Sequence, residues 1–184
     1  EIEKQGKQMA SEILTRLRAN DDLKDIPIHF AIYKQSDQNS ITPGEFIANT
    51  TVDDDQTKIN KWKKIDQVSA LLPSSTAKKY NENLNNNFKQ FNDNLQSYFT
   101  NFTQAVGKVK FDGKKPTQLT IDLPIDYYSQ AETIGITQYV TEQARKYFDN
   151  IDSYEIRIKD GNTPRALISK SKEDKEPQVH IYNN

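Results

Sequence analysis

The chain is 184 residues long, and 25 basic side chains face 26 acidic ones for a formal net charge of -1. Phosphate-neutralising proteins carry an excess of Lys and Arg, so the electrostatic footprint of nucleic-acid binding is absent. With no cysteine, disulfides, thiolate metal sites and cysteine nucleophiles are excluded. Mean hydropathy is low at -0.88, yet nine Tyr, eight Phe and many Ile and Leu supply material for a core. No apolar run reaches the roughly 18–20 residues that span a bilayer. The start, Glu1-Ile2-Glu3-Lys4-Gln5, has neither an initiator Met nor a signal peptide, so we read it as lying inside a longer protein.

In chain order, Ile2 to Asn20 predicts an amphipathic helix, with Met9, Ile13, Leu14 and Leu17 at three- and four-residue steps. Pro27 to Lys34 alternates, Ile28, Phe30 and Ile32 on one face, and predicts a strand. Thr42-Pro43-Gly44 is turn chemistry ahead of a second strand, Glu45 to Val52. The charged stretch Asp53 to Lys64 predicts mixed loop and helix, with Trp62, Ile65, Val68, Leu71 and Leu72 giving an apolar side up to Pro73. Tyr80, Leu84, Phe88, Phe91, Leu95, Tyr98 and Phe102 then form one stripe, which predicts a long helix from about Thr76 to Val106, capped by Ser74 or Ser75.

Val109 to Phe111 and Leu119 to Leu123 predict two strands joined by Asp112-Gly113, with Pro124 ending the second. Ser129 to Asn150 predicts a helix, and Tyr154 to Ile158 a strand that turns at Asp160-Gly161-Asn162 and pairs with Arg165 to Ser169. A last short strand covers Val179 to Tyr182. Helices alternating with strand pairs give an α+β fold, an antiparallel or mixed sheet covered by amphipathic helices, read as one domain over 1–184. Residues 9–48 and 138–168 share the order helix, strand, Thr-Pro turn, strand, a degenerate repeat or a coincidence of common pieces.

Chemistry-bearing constellations are few. His29 and His180 lack HxH or HExxH spacing, so half-exposed strand histidines account for them better than a metal pair. Asp53-Asp54-Asp55 invites a calcium reading, but an EF-hand's Gly and Glu positions fall on Lys58 and Lys64. Neither a metal nor a cofactor is expected. No GxGxxG, GxxxxGK[ST] or GxSxG occurs. Asp122 and Asp126, flanking Pro124, are the carboxylates a hydrolase reading would use. Tyr127 and Tyr128 stand between a strand and a helix, where they would line a ligand-binding groove for a peptide or glycan or simply pack with hydroxyls at the rim. Asn49-Thr50-Thr51 and Asn101-Phe102-Thr103 match the glycosylation triplet, which Asn-rich chains produce by chance.

Ile26 to Tyr33, Ile41 to Ala48, the Asn-rich helix and the ending Pro177-Gln178-Val179-His180-Ile181-Tyr182 together resemble the C-terminal domain of the CamS family of sex-pheromone lipoproteins from low-GC Gram-positive bacteria. The likeness runs over essentially the whole chain and rests on overall pattern. It implies a cell-surface domain tethered through a lipidated cysteine upstream, with the conjugation-stimulating pheromone coming from the signal peptide. It implies no catalytic residue. The expectation is a non-enzymatic extracytoplasmic domain, with partners among cell-surface or extracellular proteins or glycans. An adhesin-like binding module and a cryptic cell-wall hydrolase are the alternatives.

Overall fold

The computed structural model describes residues 1–54, 56–99, 103–126 and 129–182. They divide into two units, Glu1–Val68 and Ser69–Asn184.

In the first unit, α1 (Ile2–Arg18) is followed by β1 (Ile28–Lys34), β2 (Glu45–Val52) and the two-residue β3 (Lys63–Lys64), a sheet in the order β1-β2-β3 with both pairs antiparallel. The alternation read in β1 holds: Ile28, Phe30 and Ile32 are half-buried, and His29, Ala31 and Tyr33 are exposed. The core is small, formed by Ala10, Leu14, Ala48 and Val52. α1 rests on β1 at Gly6, where a Cβ would lie 2.9 Å from Ile32 Cγ2. Met9 and Ile13, expected on the buried stripe, remain exposed. The buried face is turned instead to Ala10 and Leu14, whose smaller combined bulk lets the helix sit close.

The second unit begins within β4 (Gln67–Leu72) and holds α2 (Ser75–Tyr80), α3 (Glu82–Tyr98), β5 (Val106–Asp112), β6 (Lys115–Ile125), α4 (Gln130–Phe148), β7 (Ser153–Asp160), β8 (Thr163–Lys170) and β9 (Gln178–Ile181), the strands β4 to β9 forming a six-stranded sheet ordered as in the chain. β6 and β7 pair in parallel across the α4 crossover, while β5–β6, β7–β8 and β8–β9 are antiparallel, so the sheet is mixed. The α+β class expected from the sequence is the class observed. Gly113 (φ 58) and Gly161 (φ 56) open the two hairpin loops in a conformation that strains any L side chain.

Three boundaries differ from the sequence reading. The single helix from Thr76 to Val106 is instead α2 and α3, broken at Asn81. That residue is extended (φ -151, ψ 96), and its side chain accepts from the Leu84 N–H at 2.9 Å. An asparagine caps better than it propagates, so the apolar stripe continues while the helix restarts. The helix ends at Tyr98, Phe102 lies outside the described residues, and Val106 opens β5. The stretch before Pro73 forms β4 rather than helix, because Val68, Ala70 and Leu72 alternate inward. Pro124 does not end β6. β5 reaches only to Asp122, so beyond it one side of β6 has no ladder for the missing N–H to break.

One sheet face buries Val109, Phe111, Leu119, Ile121, Ile156, Ile158 and Ile168 beneath α3 and α4, with Phe88, Phe91 and Phe148 as fully buried rings between. Asn92, 5 % exposed, ties α3 to the entry of β5: its Oδ1 accepts from Ala105 N at 3.0 Å and its Nδ2 donates to Ala105 O at 3.3 Å. Asn92→Leu keeps the volume but orphans both backbone groups, so a loss of about 2–3 kcal/mol in urea unfolding is expected, and a loss under ~0.5 kcal/mol would refute the role.

Candidate functional site

Tyr127 and Tyr128 lie outside the described residues, between the end of β6 and the start of α4. Beside them, Ser129 and Glu132 form a capping box: the Glu132 carboxylate accepts from the Ser129 N–H at 2.9 Å, and this donor holds its pKa below the usual range. His29 is on β1, its Nδ1 sharing a 2.9 Å hydrogen bond with Thr51 Oγ1. His180 is on β9, edge-on to Tyr182 at 4.7 Å. The two histidines belong to different sheets, so the adjacent-strand condition for a metal pair fails. Asp55 and Asn101 are outside the described residues, and Asn49 sits in β2 opposite Ala31. Asp53 contributes its backbone carbonyl to Arg18 at 2.7 Å. Among the described residues, no group of three His, Asp or Glu side chains is placed to share a metal ion.

The carboxylate nominated for hydrolysis, Asp122, faces Lys159 at 3.0 Å on the open face of the sheet, and Asp126 is exposed past the end of β6. Neighbouring acids are engaged likewise: Asp152 by Lys115 at 2.8 Å, Asp149 by Lys170 at 2.6 Å, Asp160 by Arg165 at 2.9 Å. The displaced carboxyl pKa values all move down, Asp152 through its bond to Lys115 and Asp174 through the Ser171 hydroxyl and N–H. Donors that hold a carboxylate charged unfit it for giving up a proton in general-acid work.

Of the concavities lined by described residues, two lie in the second unit. A polar cleft of about 210 Å³ is lined by Gln118, Ser153, Tyr154, Glu155, Ser169 and Lys170, among others. Tyr154 is 2 % exposed and its hydroxyl has no partner among the described residues. Burial, reinforced by the charge of Asp149, pushes its pKa up to about 12. The neutral phenol is thus the folded form, so stability is complete below the ordinary pKa near 10 and falls as pH rises from 10 to 12. In a 295 nm titration one tyrosine should ionise about two pH units late, and Tyr154→Phe should remove that late step.

The other concavity is an apolar groove of about 400 Å³ between α4 and β9, walled by Ile134, Thr137, Gln138 and Thr141 on one side and Val179 and Ile181 on the other. Both threonine hydroxyls donate back along the helix, Thr137 to Thr133 O and Thr141 to Thr137 O at 2.7 Å each, which leaves their methyl groups for the groove. β9 is the last strand of the sheet. Val179 and Ile181 stand opposite the buried Ile168 and Ala166, which turns them to the helix side. Sequence reading found β9 but not the groove, because nothing in a single sequence says which helix overhangs an edge strand.

A mixed sheet with two helices on one face, ion pairs on the other and an edge strand beside an apolar groove defines an α+β domain. The chain belongs to the CamS family, whose description is CamS sex pheromone cAM373 precursor and whose model matches residues 1–176. It is similar to the C-terminal domain of the sex pheromone staph-cAM373 precursor from Staphylococcus aureus, with 75% identity and a TM-score of 0.88 over 99% of this chain and 55% of that one. A sex pheromone precursor from Lactobacillus salivarius subsp. salivarius shares the fold at 23% identity and TM-score 0.85, over 98% of this chain and 53% of that one. A further sex pheromone staph-cAM373 precursor structure shares it at 24% identity and TM-score 0.64, over 98% and 64%. The chain thus spans about half the length of the first two structures. Comparison with curated proteins gives no match. No described helix is long and apolar enough to cross a membrane.

Proposed function

We propose that this chain is the folded, non-catalytic, extracytoplasmic part of a sex-pheromone precursor lipoprotein, held at the cell surface by a lipid anchor elsewhere in the parent polypeptide. The pheromone peptide comes from the signal peptide and not from this fold. Family membership supports the first half of this reading. The observation that supports the non-catalytic part is the pairing of Asp122, Asp149, Asp152 and Asp160 with Lys or Arg side chains. Incubation of the purified chain with peptidoglycan, followed by chromatography of released fragments, is expected to show no turnover. Fragment release abolished by Asp122→Asn would sink the reading.

A second reading, an adhesin-like contact with protein, is favoured by the α4–β9 groove lying against an unpaired strand edge. Such an edge accepts an extended peptide through main-chain hydrogen bonds, while alternate side chains enter the groove. Titrating the labelled chain with Val/Ile-alternating peptides should move β9 and α4 resonances, and Val179→Glu should suppress the effect. Equal shifts in the wild type and the variant would remove the second reading.

A further inference from the structure

The two units share a plan that extends to individual hydrogen bonds. α1 leads into the meander β1-β2-β3, and α4 leads into β7-β8-β9. Ile32 faces Ala48, and there the ladder slips: Ile47 is extra on β2 before Phe46 meets Tyr33. Ile158 faces Ala166, and Arg165 is the extra residue before Pro164 meets Lys159. The same alanines face the third strands, Ala48 opposite Lys64 and Ala166 opposite Ile181. The carbonyl of each extra residue then accepts from the residue after the third strand, Ile65 N–H to Ile47 O and Tyr182 N–H to Arg165 O, both at 3.0 Å. Bulges are positionally specific features, and the same bulge, on the same strand, closed by the same third-strand bond, is more than two generic helix–hairpins have in common. The Thr-Pro pairs are not the equivalent points, since Thr42-Pro43 precedes β2 whereas Thr163-Pro164 opens β8.

The correspondence leaves one place in the first unit unfilled. β7 has β6 beside it in parallel, and β6 runs through a short link into α4. β1, the counterpart of β7, ends its sheet. Burial records the difference: Tyr154, Ile156 and Ile158 are 2%, 0% and 0% exposed, while their counterparts Ile28, Phe30 and Ile32 are only half-buried. On α1, which rests on β1, Ile2, Met9 and Ile13 form a stripe at steps of seven and four that stays 51%, 61% and 44% exposed. The S. aureus family structure is nearly twice as long as the region it shares with this chain, so the family carries polypeptide enough to fill the place.

We infer that the open edge of β1 seats a parallel strand from the longer family polypeptide, and that this strand runs directly into α1 as β6 runs into α4. Its inward apolar side chains complete the burial of Ile28, Phe30 and Ile32, and the layer it belongs to covers the Ile2–Met9–Ile13 stripe. The proposal goes beyond the functional reading and does not depend on whether the domain is catalytic.

Two probes compare the 184-residue chain with the same chain extended ahead of Glu1 by the corresponding part of a longer family polypeptide. Amide hydrogen exchange is followed at the alternate β1 positions not bonded to β2. Maleimide labelling is followed in a Met9→Cys variant, where the site is unambiguous because the chain has no native cysteine. In the longer polypeptide the amides should slow by about 100-fold or more, and labelling of the Met9→Cys thiol by at least tenfold, whereas the 184-residue chain should show fast rates independent of concentration. Equal rates in the two polypeptides overturn the inference. So does protection that appears in the 184-residue chain as its concentration rises, since a second copy would then occupy the edge.

Discussion

Replacing Arg18 by methionine is expected to lower the stability of the first unit by about 2–4 kcal/mol. Arg18 is the last residue of α1, where a cation suits the negative end of the helix dipole. Its guanidinium bonds five backbone carbonyls: Nε donates to Gln56 O at 3.0 Å, Nη1 to Leu23, Lys24 and Ile26 O at 2.9, 2.9 and 2.7 Å, and Nη2 to Asp53 O at 2.7 Å. It therefore gathers the link into β1 and the loop after β2 onto one point. Charge-assisted bonds contribute about 1.5–3 kcal/mol each when dry, but water reaches several of these carbonyls, so the total falls well below the sum. The small core of this unit makes the polar pin weigh more. Arg18→Lys should recover less than half, because a single ammonium cannot replace a planar fork with five N–H groups. Trp62 is the only tryptophan and lies in this unit, so its fluorescence reports the transition. A shift of about 1–2 M in the urea midpoint is expected. An unchanged midpoint for Arg18→Met would refute the role.

That pin was not legible in the sequence, and the reason is physical. Arg18 stands at a helix end, and all its partners are backbone carbonyls, which carry no side-chain signal; two of them, those of Gln56 and Asp53, lie more than thirty positions away. What was legible is set by periodicity: β2 from Glu45 to Val52 was read to the residue, and the glycine turns at 113 and 161 fell where expected. Misreadings occurred where two local rules competed. The apolar stripe from Tyr80 onward runs across Asn81 unbroken, but the side chain of Asn81 caps the following turn and the helix restarts there. Met9 and Ile13 fit the helical period, yet the period does not say which half of a wide stripe meets the sheet. The candidate site suffered most. The α4–β9 groove joins residues some forty apart, Thr137 and Val179 among them, and only the tertiary fold brings them face to face.

The second large effect is expected at Phe148, where alanine should cost the second unit about 3–5 kcal/mol. Its ring is fully buried at the end of α4, 5.1 Å from Phe91 and 6.1 Å from Phe88, so one side chain holds both phenylalanine rings of α3. The cost of such a truncation depends on how far the surroundings can collapse into the space left. Here they can move little. Phe88 is already pressed onto the backbone at Gly107, where a Cβ would come within 2.7 Å of its Cε2 and 3.1 Å of Leu72 Cβ. Asn94 further fixes the helix pair by donating to Gln143 Oε1 at 2.8 Å and to the Tyr147 hydroxyl at 3.0 Å. The cavity therefore persists and the loss should fall in the upper half of that range, while Phe148→Leu, nearer in volume, should cost about 1–1.5 kcal/mol. Ile134→Ala on the same helix is the control: that side chain is 38% exposed in the groove wall and should cost less than about 1 kcal/mol. Urea unfolding followed by far-UV circular dichroism separates the three variants. A loss for Phe148→Ala no larger than that for Ile134→Ala would mean that the rings of α3 and α4 do not form the mechanical centre of this unit.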